Sequence, residues 1–412
     1  MTALAGLQPG AVPAPAPAGA NRLFAAGSNA TMEAHLDAFG PFDPETIDAR
    51  FIGTLEGSGL TGRGGAAFPT WRKLAATTTG RRPRPAVIAN GAEGEPLGVK
   101  DKTLLLHAPH LVIDGLVVAG RAVNATRLHL YAGAASMDIL AAALAGRPDA
   151  RSIKLTAAPE TFIAGEASAA VNRIGGGSAL PMDKAARFSE SGLKSRPTLV
   201  LNVETLAHVA LIARYGAAWF RSIGSGRDPG TRLVSVGGHG ADLVLEIEGD
   251  ASLETVLASA GVERSTLRAV LVGGFHGRWV HPTGRRISPR GTPGESVRPG
   301  AGVIHVLPAA RCGLQATAGI VNYLAAESAR QCGPCMFGLP AMAGVLRAIA
   351  DGARDPALPG EVRRLAALVT GRRACHHPDG TAQLVSSALE VFADDVAAHL
   401  SGRCTARGGG FP

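Results

Sequence analysis

Apolar positions along the 412-residue chain fall into three textures. Between about residues 46 and 228, short β-branched runs alternate with stretches of helical periodicity, the pattern of an α/β unit with a parallel sheet. Residues 86–90, 128–132 and 198–203 read as buried strands, and 161–166 as a strand running into a Gly-Glu loop. Residues 110–123, 167–174 and 207–221 read as helices, and another begins at Pro69-Thr70. Beyond Asp228-Pro229-Gly230 the runs shorten. Residues 232–236, 242–248, a helix at 253–260 and a strand at 269–275 outline a ββαβ module of β-grasp type, whose default role is an interface or spacer. From Leu314 onward apolar positions recur at i, i+3 and i+4, as at Val345 and Ile349 or Leu365 and Leu368. Helices at 314–330, 336–354, 362–372 and 382–400 with short connections predict an antiparallel four-helix bundle.

The fold class is therefore α/β, followed by a small β-grasp domain and a C-terminal four-helix bundle. Its segments are a partly disordered leader at 1–45, the α/β domain at 46–228, the β-grasp domain at 229–307, the bundle at 308–402 and a flexible tail at 403–412. The first twenty residues, with Pro13, Pro15 and Pro17, lack the basic start and continuous apolar stretch of a signal peptide. The run at 104–120 is interrupted by His107, Pro109, His110 and Asp114, so no direct membrane insertion is predicted.

Charge adds a constraint. The net charge is +8 with aromatic content of only 4%, and the basic residues are scattered without interleaved aromatics. That excludes nucleic acid as the natural partner and leaves an acidic protein surface, or a merely solvated basic one. Five cysteines in a chain without an export signal point to metal or redox work in the cytoplasm.

Candidate chemistry concentrates in residues 58–74. Gly62, Arg63, Gly64 and Gly65 form a loop whose backbone N–H groups can approach a phosphate closely, and Lys73 follows on the next helix. Alone, such a loop is as easily a structural turn in a chain with 54 glycines. Three further loops at strand ends carry Asn or Glu: Asn90, Glu93 and Glu95; Gly165 and Glu166; Asn202, Glu204 and Thr205. Each taken singly reads as a turn or helix cap. Their recurrence beside the Gly-rich loop favours one nucleotide-like ligand. In the helical region Cys332-Gly333-Pro334-Cys335 and Cys375-His376-His377 fall at helix junctions, a spacing that fits iron–sulfur or zinc ligation, with buried thiols as the plain alternative.

In this order, the motifs at 58–73, 90–102, Pro109-His110 with Gly115, Gly165-Glu166, 202–206 and Glu327-Ser328 through Gly338 resemble the flavin- and NADH-binding subunit of respiratory complex I. The same module occurs in NAD-reducing hydrogenases and formate dehydrogenases. The resemblance covers residues 46–400. It implies an FMN in the α/β domain, NAD(P)H as hydride donor, a 4Fe–4S cluster in the bundle and a protein electron acceptor, ferredoxin-like or quinone-reducing. It assigns Gly62, Arg63, Gly64 and Gly65 to the flavin phosphate and ribityl chain, and Lys73 to the phosphate charge. Asn90, Glu93, Gly165, Glu166, Asn202 and Thr205 complete the flavin pocket, while Phe68, Glu95 and Phe162 face the nicotinamide dinucleotide. No side-chain acid or base is implied, because the flavin carries the reaction.

Several positions depart from that pattern. Ala92, Ala167 and Leu201 replace a carboxylate, a second Glu and an Asn, Phe162 replaces a Tyr, and Ala329 stands where the first cluster cysteine belongs. Cys332, Cys335 and Cys375 remain as metal ligands. The fourth position is open to His376, His377 or water, or the cluster is 3Fe–4S. Cys312, at the far end of a helix about 25 Å long at ~1.5 Å per residue, is excluded, and Cys404 is a tail thiol without a role. Two readings stay open: an NADH dehydrogenase-like oxidoreductase, or a non-catalytic assembly subunit holding zinc or no metal.

Overall fold

The structure, a computed structural model, describes residues 21–28, 30–78, 83–183, 186–240, 242–292, 294–372 and 375–406. Residues 1–20 of the leader read at 1–45, and the tail end at 407–412, lie outside the described residues.

Four strands, β1 (Ala86–Gly91), β2 (Arg127–Gly133), β3 (Ile153–Ala158) and β4 (Thr198–Asn202), form a wholly parallel sheet in the order β3-β2-β1-β4. The strand at 161–166 is not there. Phe162–Gly165 is a single 3-10 turn, and the strand of this βαβ unit is β3, at the sheet edge. Its sequence IKLTAA buries only its two ends, so hydrophobic patterning carries little signal for it. Between β1 and β2 the chain forms two helices, Lys100–His107 and Pro109–Ala122, bent by 96°. Pro109 has no N–H to continue the first helix and disfavours helical backbone at Ala108. No single helix among the described residues is long and apolar enough to cross a membrane.

In the part read as a partly disordered leader, the described residues 21–28 and 30–45 pack against the α/β unit. Leu23, Phe24 and Phe39 are buried in the core of the α/β unit, and the Leu23 N–H donates to Glu246 at 2.8 Å.

A second sheet has the order β6-β5-β11-β7-β8, built from β5 (Thr231–Gly237), β6 (Leu243–Glu248), β7 (Leu267–Val272), β8 (Arg278–Val280) and β11 (Val303–Pro308). Two short strands, β9 (Arg286–Ile287) and β10 (Ser296–Val297), pair with each other. The last strand, β11, runs parallel to β5 and antiparallel to β7, which gives the β-grasp arrangement. Alternation along β7 sends Val270 and Val272 toward the helix Leu253–Ser259, and Ala269 and Leu271 toward the C-terminal helices. The sheet is thus a middle layer between its own helix and the bundle.

The bundle comprises Gly313–Ala326, Leu339–Ala350, Leu358–Val369 and a broken fourth helix, His377–Val391 followed by Ala393–Leu400. The first helix ends four residues earlier than its periodicity predicts. Arg330 then takes a positive φ of 53°, and Pro334–Gly338 form one π-helical turn.

Candidate flavin and iron–sulfur site

Strand order reverses beside β1, so the crevice at the carboxyl ends of β1 and β4 is where an open α/β sheet takes a ligand. Asn90 and Asn202, the C-terminal residues of the paired stretch, are direct register partners there. A cavity of about 1110 Å³ opens above them, slightly more than the ~300–1,000 Å³ typical of small-molecule sites. It is walled by Gly64 and Gly65, by Asn90 and the stretch Ala92 through Glu95, by Phe162, Gly165 and Glu166, and by Asn202.

Most polar side chains of the predicted set are already engaged in shaping this cradle. Asn90 donates to the Gly165 carbonyl at 2.9 Å, and Asn202 donates to Asp101 at 2.6 Å while its Oδ1 caps the following helix at Glu204 N. Glu166 accepts from Ser168 N and Ala169 N at the start of Ala167–Gly175. Glu93 accepts from Asp101 N and Lys102 N, and burial, followed by nearby Asp101, raises its pKa to about 8.

Arg63 is used differently from the sequence expectation. Its guanidinium is buried against Asp228, Pro229 O and Thr231 O, and its N–H donates to Thr205 Oγ1 at 2.8 Å. Arg63 and Thr205 therefore anchor the loop from behind. That leaves the backbone at Gly64 and Gly65 facing the cavity, with Gly65 at φ +106°, a conformation open to glycine.

Gly62 closes the base of the loop by donating to Phe68 O at 2.9 Å, and neither residue lines the cavity. Phe68 is 45% exposed. Lys73 also lies outside the cavity wall. Its half-buried ammonium donates to Val200 O on β4 at 3.3 Å, two residues before Asn202. Burial lowers its pKa, and among the described residues no carboxylate pairs with it. A half-buried ammonium that, among the described residues, meets only a carbonyl favours an anion nearby.

The second sheet supplies the opposite wall through Gly273, His276, Gly277 and Gly300, so the module that reads in sequence as an interface or spacer is part of the site. Glu95 crosses to it, accepting from Phe275 N at 2.7 Å. Its Oε1 is buried with no hydrogen-bond partner among the described residues, and burial raises its pKa to about 7. The Gly273-Gly274 pair is the sequence signal for this wall, visible but not attributable to a ligand. Beneath the crevice, Lys100 is buried between Asp101 at 2.7 Å and Glu204 at 2.8 Å. Burial alone would lower its pKa, but the two carboxylates outweigh it and hold the ammonium charged.

At its far end the same cavity is lined by Cys375, His376 and His377. Cys335, in the π turn, has both Cys332 and Cys375 within hydrogen-bond reach, and these contacts and burial push its thiol pKa up. Three sulfurs brought together from two helix junctions suit a thiophilic centre. His377 is committed on both nitrogens, Nε2 to Leu324 O at 2.8 Å and Nδ1 to His276 at 3.1 Å. His376 contacts Asp379 through Nδ1 at 3.3 Å. Phe162 packs among Phe275, His276, Tyr323 and His377, an aromatic group that lines the cavity on the way from the crevice to the thiols.

Residues 55–211 match the Nuo51 FMN-binding domain, and residues 315–399 match the NADH-ubiquinone oxidoreductase-F iron–sulfur binding region. The chain is 28% identical over 390 residues to an NADH-quinone oxidoreductase subunit of Rhizobium meliloti, covering 89% of this chain and 91% of that one. It is 24% identical over 409 residues to the NADP-reducing hydrogenase subunit HndC of Solidesulfovibrio fructosivorans, covering 88% and 82%. Among solved structures, an NAD+-reducing NiFe-hydrogenase in the H2-reduced state superposes with a TM-score of 0.77 at 26% identity. That match covers 87% of this chain, which spans 62% of the hydrogenase chain.

Proposed function

The chain belongs to the family of the FMN- and NADH-binding subunit of NADH-quinone oxidoreductases and related hydrogenases, and from that premise we propose how its own residues divide the work of electron input. It is an NADH dehydrogenase-like oxidoreductase with an FMN domain and an iron–sulfur region. Bound FMN supplies the conversion of a two-electron hydride donor into single electrons for a cluster.

The residues present fit both groups. The Gly64-Gly65 backbone and the helix N-termini at Glu166 and Asn202 face the crevice, and the anion-seeking Lys73 lies just behind β4. We assign Lys73 to the flavin phosphate, the Gly64-Gly65 backbone to the ribityl-phosphate chain, and Asn90 with Gly165 to the ring edge. Glu95 Oε1, without a partner among the described residues, we assign to a hydroxyl of the nicotinamide ribose. Cys332, Cys335 and Cys375 hold the cluster. With His377 committed, its fourth position falls to His376 or solvent.

One observation carries the proposal: a single cavity has the glycine loop as one wall and Cys375 as another. That arrangement has no purpose in an assembly subunit without cofactors. The partner class follows from the surface beside Cys335, where Met336 is 51% and Phe337 71% exposed. Large apolar side chains flanking a redox centre favour a protein acceptor docked over them. Thiol ligands and a soluble donor favour a cytoplasmic reaction.

The test is the visible spectrum of protein isolated without air, followed by titration with NADH. Flavin bands over a broad iron–sulfur absorption, bleached by NADH, are the expected result. A colourless protein, or a flavin that NADH leaves oxidised, overturns the proposal.

A further inference from the structure

Two cysteines have no part in the cluster: Cys312, excluded by the length of a helix, and Cys404 in the tail. The structure brings them to one another. Cys312 precedes the first bundle helix, Gly313–Ala326, and Cys404 follows the last, Ala393–Leu400. Between them stands His399, 1% exposed, on the last turn of that final helix. The sulfurs of Cys312 and Cys404 and a ring nitrogen of His399 all lie within 4.8 Å of one another.

His399 and the Cys404 segment are each held by neighbouring backbone or side chains. His399 Nδ1 lies 3.1 Å from the Ile349 carbonyl, which can only accept, so Nδ1 carries the proton and Nε2 presents its lone pair. Nε2 lies 3.5 Å from Cys312 Sγ. An imidazole whose outer nitrogen donates to a backbone carbonyl while its inner one faces sulfur has the orientation of a metal-ligating histidine.

The chain turns back after Leu400 through Gly402, whose N–H donates to His399 O at 2.9 Å. Thr405, next to Cys404, is tied to Asp395, which also pairs with Arg268 of β7. The tail thiol is therefore positioned by the bundle and the second sheet together.

We infer that Cys312, His399 and Cys404 form a second metal site, separate from the cluster cysteines, that takes one zinc ion. Two thiolates and one imidazole are the donor set of a borderline-soft d10 ion. With Zn–S ≈ 2.3 Å and Zn–N ≈ 2.0–2.1 Å, a tetrahedral ion sets its sulfur and nitrogen ligands about 3.6 Å apart. The 3.5 Å between Cys312 Sγ and His399 Nε2 already meets that separation. Both cysteines are only partly buried, so water takes the fourth position. Binding releases the two thiol protons to solvent and changes no oxidation state. A bound thiolate at Cys312 sits at the positive end of the first bundle helix. The ion ties the two ends of the bundle together.

The experiment counts zinc and iron in the full chain isolated without air, in the parent protein and in the Cys404→Ser, Cys312→Ser and Cys335→Ser variants. Flavin content checks that each has folded. The expected result is about one zinc per chain in the parent. Loss of zinc retention against a chelator is about tenfold or more in Cys404→Ser and Cys312→Ser. Cys335→Ser loses iron and keeps its zinc.

Cys404 lies in the tail, so its serine variant leaves the core intact. Alkylation mapping of the unmutated chain gives an independent measure, with Cys312 and Cys404 protected together when zinc is added and exposed together when it is removed. Zinc that departs with Cys335 and stays in Cys404→Ser overturns the assignment. So does a parent protein that takes up no zinc, or a Cys312–Cys404 disulfide in air-free material.

Discussion

Replacing Lys73 with methionine separates the anion-binding role of that residue from simple packing. In the flavin-free chain its ammonium is half-buried and held by one neutral acceptor, Val200 O at 3.3 Å. Burial lowers its pKa, and among the described residues no carboxylate compensates. A phosphate at this position turns that cost into a charge-assisted hydrogen bond. Such bonds contribute about 1.5–3 kcal/mol, which at ~1.4 kcal/mol per decade is about 10- to 150-fold in the dissociation constant.

Lys73→Met is therefore expected to weaken FMN binding by that factor while leaving riboflavin, which has no phosphate, within about twofold of the parent. The apo-protein moves the other way. Methionine keeps the apolar stem and removes a charge that is disfavoured in the fold, so the thermal midpoint of flavin-free Lys73→Met equals or exceeds the parent's. The advantage is present at neutral pH and fades as pH rises toward 10.5, where lysine in the unfolded chain also loses its proton. Fluorescence titration of apo-protein with both flavins is the assay. Equal FMN affinities in parent and variant, or parallel losses for FMN and riboflavin, refute the phosphate role.

Gly165→Ala places a methyl group 2.8 Å from the Ala92 carbonyl, a backbone atom that cannot rotate away. It is expected to destabilise the chain by about 1–3 kcal/mol and lower flavin occupancy, read by urea unfolding and flavin counting. Cys335→Ser is expected to lose the iron but keep the FMN. NADH then still reduces a small artificial acceptor that reacts at the flavin, while transfer through the cluster stops; loss of both activities together argues against separate sites. Glu95→Gln tests a buried carboxylate whose folded pKa, about 7, lies above its unfolded value of 4.5. The folded state binds the extra proton between those values, so stability from this group is full below pH 4.5 and is lost as pH rises through 7. Glu93 and Glu246, raised to about 8 and about 7, act in the same direction. The difference between parent and Glu95→Gln melting curves across that range isolates Glu95, and a difference independent of pH removes the assignment.

Much of the site is legible because short-range chemistry announces it. Asn90 and Asn202 end buried strands, and Glu166 begins a helix, so their roles at strand ends and caps follow from local pattern. Other residues mislead for want of partners. Arg63 looks like a phosphate ligand in a Gly-rich loop, yet Asp228 and two carbonyls more than 160 residues away claim its guanidinium. β3 escapes pattern reading because an edge strand with a polar outer face has weak alternation. The length of the helix that separates Cys312 from Cys332 and Cys335 argues against a shared metal centre. That length says nothing of what the last helix carries back to Cys312.

The order of apolar runs determined the three-part architecture, and the ordered motifs carried the resemblance that implied FMN and an iron–sulfur cluster, because each depends on residues close together in the chain. Which polar groups face the ligand and which merely brace the wall was decided only by the tertiary structure. So were the cavity shared by the glycine loop and Cys375, the lone Glu95 oxygen within it, and the meeting of Cys312, His399 and Cys404. A charged or sulfur-bearing side chain takes its role from the nearest compatible partner in space, and over long sequence separations only the packing of layers selects that partner.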